Sequence, residues 1–311
     1  MKEMTDKEIN KLIRESWDMH VHVGPDMLPR KYSVASLSDE EEGKIGGIVV
    51  KSHAFSTQPT VKIQQEKKKK LNLVGSITLN NFVGGLNPDA VYASASLPTK
   101  FPLVVWFPTL HARDHVEKSK GNYEIPPDWI KDPNFVPRKK SEVRPINVID
   151  AKGNLTKETQ AVLAMIKKMD CILATGHLWW KEAKLLAQTA LKMGIKVILT
   201  HVTGRDILMP LGAQKELSKK GAYVEYCYVF WLDRDNPEDY PPKESARNIK
   251  KIGPEHCIIS SDTGQMRNPS PSQCLMAWVK LLGKHGLSRD DFEQMLIENP
   301  RKILGIGGNY V

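Results

Sequence analysis

The stretch "WDMHVHVGPD" (residues 17–26) contains the first candidate functional residues of the chain. It places His20 and His22 one residue apart at the end of a short apolar segment, directly before a Gly-Pro pair. Residues two positions apart on a β-strand point to the same side, so both imidazoles face the same way. A lone His-x-His pair is more often structural than functional. It predicts a metal site only if the rest of the chain supplies further ligands at matching positions.

Apolar strand-like segments recur along the chain, each followed by a polar loop and then a helical stretch. They are rich in Val and Ile and nearly continuously apolar, which is typical of parallel strands buried on both faces. The predicted strands are 17–23, 46–55, 73–80, 103–109, 171–177, 196–202, 222–230 and 257–262. Eight such units predict an α/β fold, a TIM-like (β/α)8 barrel. A doubly wound open sheet would give the same alternation and stays an alternative.

The remaining length is assigned to helices and one insertion. An N-terminal helix begins with a capping box at Thr5, and further helices are predicted over 87–96, 179–194 and 288–306. A long insertion, about 110–155, follows the fourth strand and contains a hairpin with its turn at 152–154. No linker divides the chain, so residues 1–311 are predicted to form a single domain.

Composition narrows the partners. The chain has 311 residues, 41% of them hydrophobic, and a formal net charge of +9 from 45 Lys+Arg against 36 Asp+Glu. The densest basic run, "EKKKK" (66–70), is typical of a solvated helix end, and no nucleic-acid-binding motif accompanies it. No apolar run approaches the ~20 residues that span a bilayer. We therefore expect a small-molecule substrate, without a nucleic-acid or membrane partner, and leave a homo-oligomer open.

The four cysteines, Cys171, Cys227, Cys257 and Cys274, form no CxxC pair. They are interpreted as reduced core residues of a cytoplasmic protein rather than disulfides or a zinc knot.

Polar residues end the predicted strands, always at the carboxyl end. Besides the two histidines of the first strand, they are Lys51, His53, His177, His201 and Asp262. Active sites of (β/α)8 barrels occupy this face, and several imidazoles with a carboxylate match the ligand set of Zn²⁺ and related ions. Any one of these residues alone could be a helix cap or a turn residue. Their occurrence together at one end favours a metal site.

The segments "HVHVGP", "GH" (176–177), "TH" (200–201), "SSD" (260–262) and "NPRKILGI" (299–306) resemble the amidohydrolase superfamily of metal-dependent barrels over nearly the whole chain. "KSH" in the second strand and "NNFVGGLNP" after the third are similar to an uncharacterised subgroup of these barrels. The resemblance implies that His20, His22, His177 and Asp262 hold one metal ion. It also implies that His201 binds a second ion or contacts the bound water.

One feature departs from the two-metal members of that superfamily, which usually carry a bridging carboxylated lysine or a glutamate at the fourth strand. Here that strand reads "LVVWFPT" and offers neither. Lys51 could bridge from the second strand if carboxylated, or remain an ammonium that anchors a substrate anion. We favour one divalent ion, with a second as the alternative, and zinc before manganese or iron.

The expected function is hydrolysis of a C–N or C–O bond in an amide, cyclic amide or ester of a small anionic substrate. Asp262 would orient the water and carry its proton, while His201 and Lys51 would polarise the scissile carbonyl. Predicted substrate contacts are Lys51, His53, Arg30, Arg113 and Arg267. The alternatives are a single-metal non-oxidative decarboxylase, a metal-dependent phosphoesterase and a non-enzymatic metal-binding barrel. Glu225 and Tyr226 alternate on the seventh strand, so only one of them can face the lumen.

Overall fold

The computed structural model describes residues 4–67, 70–118, 136, 138–204, 207–232 and 242–307. Strands occur at all eight predicted positions, and the third position is divided in two at Gly75. A Cβ atom at Gly75 would collide with Gln58, so the chain passes too close to the neighbouring helix for any larger residue. The strands are β1 (Trp17–His22), β2 (Gly47–Lys51), β3 (Asn72–Val74), β4 (Ser76–Thr78), β5 (Val104–Trp106), β6 (Ile172–Ala174), β7 (Val197–Leu199), β8 (Tyr223–Cys227) and β9 (Cys257–Ser260).

The ladders that join neighbouring strands are all parallel. They form one sheet in the order β1-β2-β3 and a second in the order β4-β5-β6-β7-β8-β9. Between β9 and β1 the described residues form a single parallel bridge, Val21 with Thr263, rather than a ladder. The fold is therefore α/β with parallel strands, and closure into a complete barrel stays a prediction.

Helices connect the strands, as the sequence predicts. They are α1 (Asp6–Glu15), α2 (Val34–Glu41), α3 (Gln58–Gln65), α4 (Pro88–Ala95), α5 (Arg113–Lys118), α6 (Lys157–Lys168), α7 (Trp180–Lys192), α8 (Leu211–Lys219), α9 (Val229–Leu232), α10 (Pro242–Ile252), α11 (Pro271–Gly283), α12 (Arg289–Glu293) and α13 (Asn299–Leu304). The Thr5 capping box is confirmed, with Thr5 Oγ1 accepting from Glu8 N. Asn87 caps α4 in the same way, and none of the described helices is long and apolar enough to cross a membrane.

Two apolar clusters divide the core. The larger one lies between the strands and the surrounding helices. The smaller one takes residues from most strands and is joined by two residues of α13; its strand members are Trp17, Met19, Val49, Val74, Val104, Trp106, Ile172, Ala174, Ile198 and Ile258. Interior side chains of this kind fill a barrel in layers. The polar residues come later along each strand, so the site lies above an apolar floor.

The predicted insertion is described in part. Residues 119–135 and 137 lie outside the described residues. The predicted hairpin is found as one antiparallel bridge between Ile149 and Leu155, with Gly153 at φ 82° in its turn. The four cysteines are free thiols and all are buried.

Candidate metal centre

A β-bulge in β1 aims both histidines inward. Asp18 pairs with Ile48 but Val21 pairs with Val50, so β1 holds one more residue than β2 over this step. Met19 packs in the smaller apolar cluster, and the centroid of the His20 ring lies 4.4 Å from that of the Trp106 ring. The extra residue therefore lets Met19 and His20 both face the interior, and alternation then continues to His22.

Three side chains meet at one point. Asp262 Oδ1 lies 3.2 Å from His20 Nε2 and 3.0 Å from His22 Nε2. All three side chains are buried. Ligand atoms around a tetrahedral ion with bonds of ~2.0–2.1 Å are about 3.3–3.4 Å apart, so either distance allows Asp262 to share a divalent cation with that histidine. Asp262 reaches this position with φ 53°, held by its backbone N–H, which donates to His20 O at 2.9 Å.

Glu225 fixes the orientation of His20. Its Oε2 lies 3.3 Å from His20 Nδ1 and also accepts His201 N at 3.0 Å, while Oε1 accepts Ser260 Oγ at 2.9 Å. Burial raises the pKa of Glu225, but His20 and His201 outweigh burial and bring it to about 2. The ionised carboxylate therefore keeps the proton of His20 on Nδ1 and leaves the Nε2 lone pair facing Asp262. Tyr226 points to the other face of β8, where its hydroxyl donates to Gln214 Oε1 at 2.6 Å.

Lys51 lies beside the three meeting side chains. Its Nζ is 3.1 Å from His20 Nε2 and 4.2 Å from the centre of the Trp106 ring. Burial lowers the pKa of Lys51 to about 8, although Asp262 and Glu225 oppose this. The buried ammonium is thus stabilised by an aromatic face and two carboxylates.

His177 and His201 complete a continuous group of rings. Their centroids are 4.8 Å apart, and His201 lies 5.7 Å from His20. Burial lowers the pKa of His201 to about 4 and that of His177 well below its usual value, so both are neutral, as metal ligands must be. Gly176, which precedes His177 and has φ 64°, lies so close to Phe107 O that a Cβ atom at position 176 would collide with it.

Asn80 and Thr109 hold His53 in place. Asn80 Oδ1 accepts the backbone N–H groups of Thr109 and His111, so the amide nitrogen must be the atom that donates to Thr109 Oγ1 at 2.8 Å. Thr109 Oγ1 also lies 2.8 Å from His53 Nδ1, and either of these two atoms can be the donor. Burial lowers the pKa of His53 well below its usual value, so its ring is a neutral imidazole.

Asp26, His22 and His53 form a second group of possible ligands, with atoms within 4.8 Å of one another. The Asp26 carboxylate already accepts three hydrogen bonds, because Oδ1 accepts Met27 N and His53 N and Oδ2 accepts Arg30 Nε. These contacts favour the group around Asp262 as the place of a single ion.

The three predicted arginines differ in placement. The Arg30 side chain is 2% exposed, and its Nε and Nη2 both lie 2.8 Å from Asp26 Oδ2. Burial lowers the pKa of His22 and of His53 well below its usual value, and the positive charge of Arg30 lowers both further. Arg113 instead pairs with Glu182 on α7, and Arg267 is exposed.

Sequence reasoning missed Asp26, Asn80 and Thr109, and it placed Cys227 in the core as a packing residue. Asp26 follows the first predicted strand, and Asn80 and Thr109 are the last residues of the third and fourth, at the same edge as the histidines, which was the available signal. Amides, hydroxyls and carboxylates are common in such loops, however, and the signal gains meaning only from the contacts above.

The comparisons agree with this architecture. A family model described as "Family of unknown function (DUF6282)" matches residues 15–225, and no curated protein matches the sequence. An amidohydrolase from Pseudomonas aeruginosa shares the fold with TM-score 0.60 and 12% identity, covering 96% of this chain and 99% of that chain. The probable dipeptidase PvdM from the same organism gives 0.56 and 13%, covering 96% of each chain. A variant of an organophosphorus hydrolase from Deinococcus radiodurans gives 0.51 and 10%, covering 96% and 94%.

Proposed function

The chain belongs to DUF6282, a family of unknown function, and we propose that it is a metal-dependent hydrolase that cleaves a C–N or C–O bond in a small anionic substrate. The observation that carries the proposal is the meeting of His20 Nε2, His22 Nε2 and Asp262 Oδ1 at 3.0–3.2 Å. A buried carboxylate that fixes the tautomer of a ligand histidine, as Glu225 does, is the usual support of such a centre.

His20, His22, His177 and Asp262 would hold one ion, for which we propose zinc; His201 lies beside them and contacts the reacting groups. When bound, a divalent ion acts as a Lewis acid and lowers the pKa of a coordinated water to about 7. Asp262 accepts the proton of the attacking water and delivers it to the leaving group. Lys51, as an ammonium, stabilises the negative charge that develops on the substrate oxygen.

The substrate anion is assigned to Arg30 and His53. Arg30 is a buried guanidinium held by Asp26, whose Oδ2 lies 2.8 Å from both Nε and Nη2, so the hydrogens that do not face Asp26 can donate to a ligand. His53 is buried, and its ring centroid lies 4.7 Å from that of His22, one of the proposed ligands. A guanidinium and an imidazole beside the ion suit a carboxylate, because charge-assisted hydrogen bonds are about twice as strong as neutral ones.

Two further parts of the proposal come from the sequence. The hydrogen bonds His22 N to Thr263 O (2.7 Å) and Asp262 N to His20 O (2.9 Å) support a barrel closed between β9 and β1. Four free thiols support a cytoplasmic location.

The test has two stages. Elemental analysis of the purified protein should find about one equivalent of divalent metal, lost in the His20→Ala/His22→Ala double variant. The metal-loaded protein is then assayed on amides, lactams and lactones with and without a carboxylate. Arg30→Met should raise KM for the carboxylate-bearing members by about tenfold or more, with Arg267→Met as the matched exposed control.

Other products would assign a different reaction. Release of carbon dioxide without uptake of water would make the protein a decarboxylase, and phosphate released from esters would make it a phosphoesterase. A protein that stays metal-free after incubation with Zn²⁺, Mn²⁺ and Fe²⁺ would refute the proposal.

A further inference from the structure

Cys227 ends β8 on the same face as Glu225, one alternation closer to the carboxyl end of the strand. Glu225 contacts the Nδ1 side of His20, so Cys227 lies at the level of the ligand atoms. Its Sγ, a nitrogen of His20 and an oxygen of Asp262 lie within 4.8 Å of one another, and all three residues are buried. The two partners are residues that the proposed function already assigns to the metal.

Packing explains the other three cysteines. Cys171, Cys257 and Cys274 are members of the larger apolar cluster between strands and helices. Cys227 is 4% exposed, yet within the described part of the chain it belongs to neither apolar cluster. Cys227 lies instead beside the polar side chains of His20 and Asp262, and Glu225 is on the same face of β8.

On binding a divalent ion, the thiol of Cys227 would be deprotonated outright, as a coordinating thiol is. In that step the S–H bond breaks, a sulfur–metal bond forms, and the proton leaves to the solvent.

We propose that Cys227 is a thiolate ligand of the same ion that His20, His22 and Asp262 hold, which rests on the proposed function. Thiolates select softer ions, so the centre prefers Zn²⁺, Co²⁺ and Cd²⁺ to Mn²⁺ and Mg²⁺. A thiolate also supplies negative charge to the ion, which moderates its Lewis acidity. The sequence resemblance assigns no thiolate to this centre.

The experiment is a titration of the metal-free full-length protein with Co²⁺, followed in the visible and the near ultraviolet. Visible d–d bands report that the ion is bound, whereas an intense near-ultraviolet charge-transfer band reports a sulfur ligand. The matched pair is Cys227→Ser and Cys257→Ser, since both cysteines lie on strands and are buried. We expect both band types in the wild type and in Cys257→Ser, and d–d bands alone in Cys227→Ser.

Affinity gives a second readout. Cys227→Ser should lower the affinity for Cd²⁺ by at least about tenfold relative to that for Mn²⁺. If Cys227→Ser fails to fold, zinc X-ray absorption of the wild type decides, because a Zn–S bond of ~2.3 Å is distinct from Zn–N bonds of ~2.0–2.1 Å.

The outcomes separate the two proposals. Absence of d–d bands means that no metal site exists, which overturns the proposed function and this inference together. Visible bands without a charge-transfer band, or a charge-transfer band that survives in Cys227→Ser, overturn only the thiolate assignment.

Discussion

Replacing Glu225 by glutamine tests whether the centre depends on an oriented His20. The amide can keep its oxygen where Oε2 accepts His20 Nδ1 and His201 N, and it can turn its NH2 group to Ser260 Oγ, since a hydroxyl also accepts. The fold should therefore survive, while the negative charge is lost.

The size of the effect follows from these contacts. A hydrogen bond to a charged group contributes about 1.5–3 kcal/mol and a neutral one about 0.5–1.5 kcal/mol, so weakening the bond to His20 costs about 1 kcal/mol. The ion also loses a nearby negative charge. Variants of such supporting residues typically lose 10–100-fold in metal affinity, about 1.4–2.8 kcal/mol, and Glu225→Gln is expected in this range.

The assay is competition for Zn²⁺ between the protein and a chromophoric chelator at pH 7. Tyr226→Phe is the matched control, because Tyr226 is the adjacent residue on β8 but points to Gln214 on the other face. It should leave the zinc affinity unchanged. A Glu225→Gln variant that binds Zn²⁺ as tightly as the wild type would refute the orienting role and would leave the buried carboxylate without a function at the centre.

Three further predictions concern stability. Gly176→Ala should lower the free energy of unfolding by several kcal/mol in chemical denaturation, because the left-handed φ of Gly176 and the collision with Phe107 O both oppose a Cβ atom. The control, Gly153→Ala, should cost only about 1 kcal/mol, because Gly153 has φ 82° but open space around it. Equal losses in the two variants would contradict the close packing at Gly176. Burial raises the pKa of Glu182 and Arg113 lowers it, so Arg113→Met should raise the pKa of Glu182 further. A carboxyl whose pKa is higher in the folded than in the unfolded chain makes the folded protein less stable as the pH rises above the unfolded pKa of about 4.3. The loss, about 1–3 kcal/mol at pH 7, should shrink at pH 4, and a pH-independent loss would argue against the ion pair. Zn²⁺ at 100 times its Kd should stabilise the wild type by ~2.7 kcal/mol, seen as a higher Tm that a chelator reverses; the same rise in the His20→Ala/His22→Ala double variant would place the ion elsewhere.

Local sequence patterns predicted the parts of this molecule that depend on neighbouring residues. Strand positions follow from runs of Val and Ile, and the α1 and α4 caps follow from residues within three positions. The break of the third strand at Gly75 does not follow from local sequence, because the close contact there is with Gln58, a residue of the preceding helix. The bulge in β1 is likewise visible only in its register against β2.

In the candidate site, too, the residues could be predicted from local sequence, but the contacts between distant residues could not. His20, His22 and Asp262 could be proposed together because each ends a predicted strand, and the resemblance to a known family placed them around one ion. The sequence could not show which face of β8 points inward, since alternation allows either Glu225 or Tyr226 to face inward. The choice depends on His20, which is 205 residues away in sequence and offers Nδ1 to Glu225. Once Glu225 faces inward, Cys227 must follow, because two steps along a strand return to the same face. The thiol that the sequence placed in the apolar core is therefore at the candidate metal centre for the same physical reason as the carboxylate that orients His20.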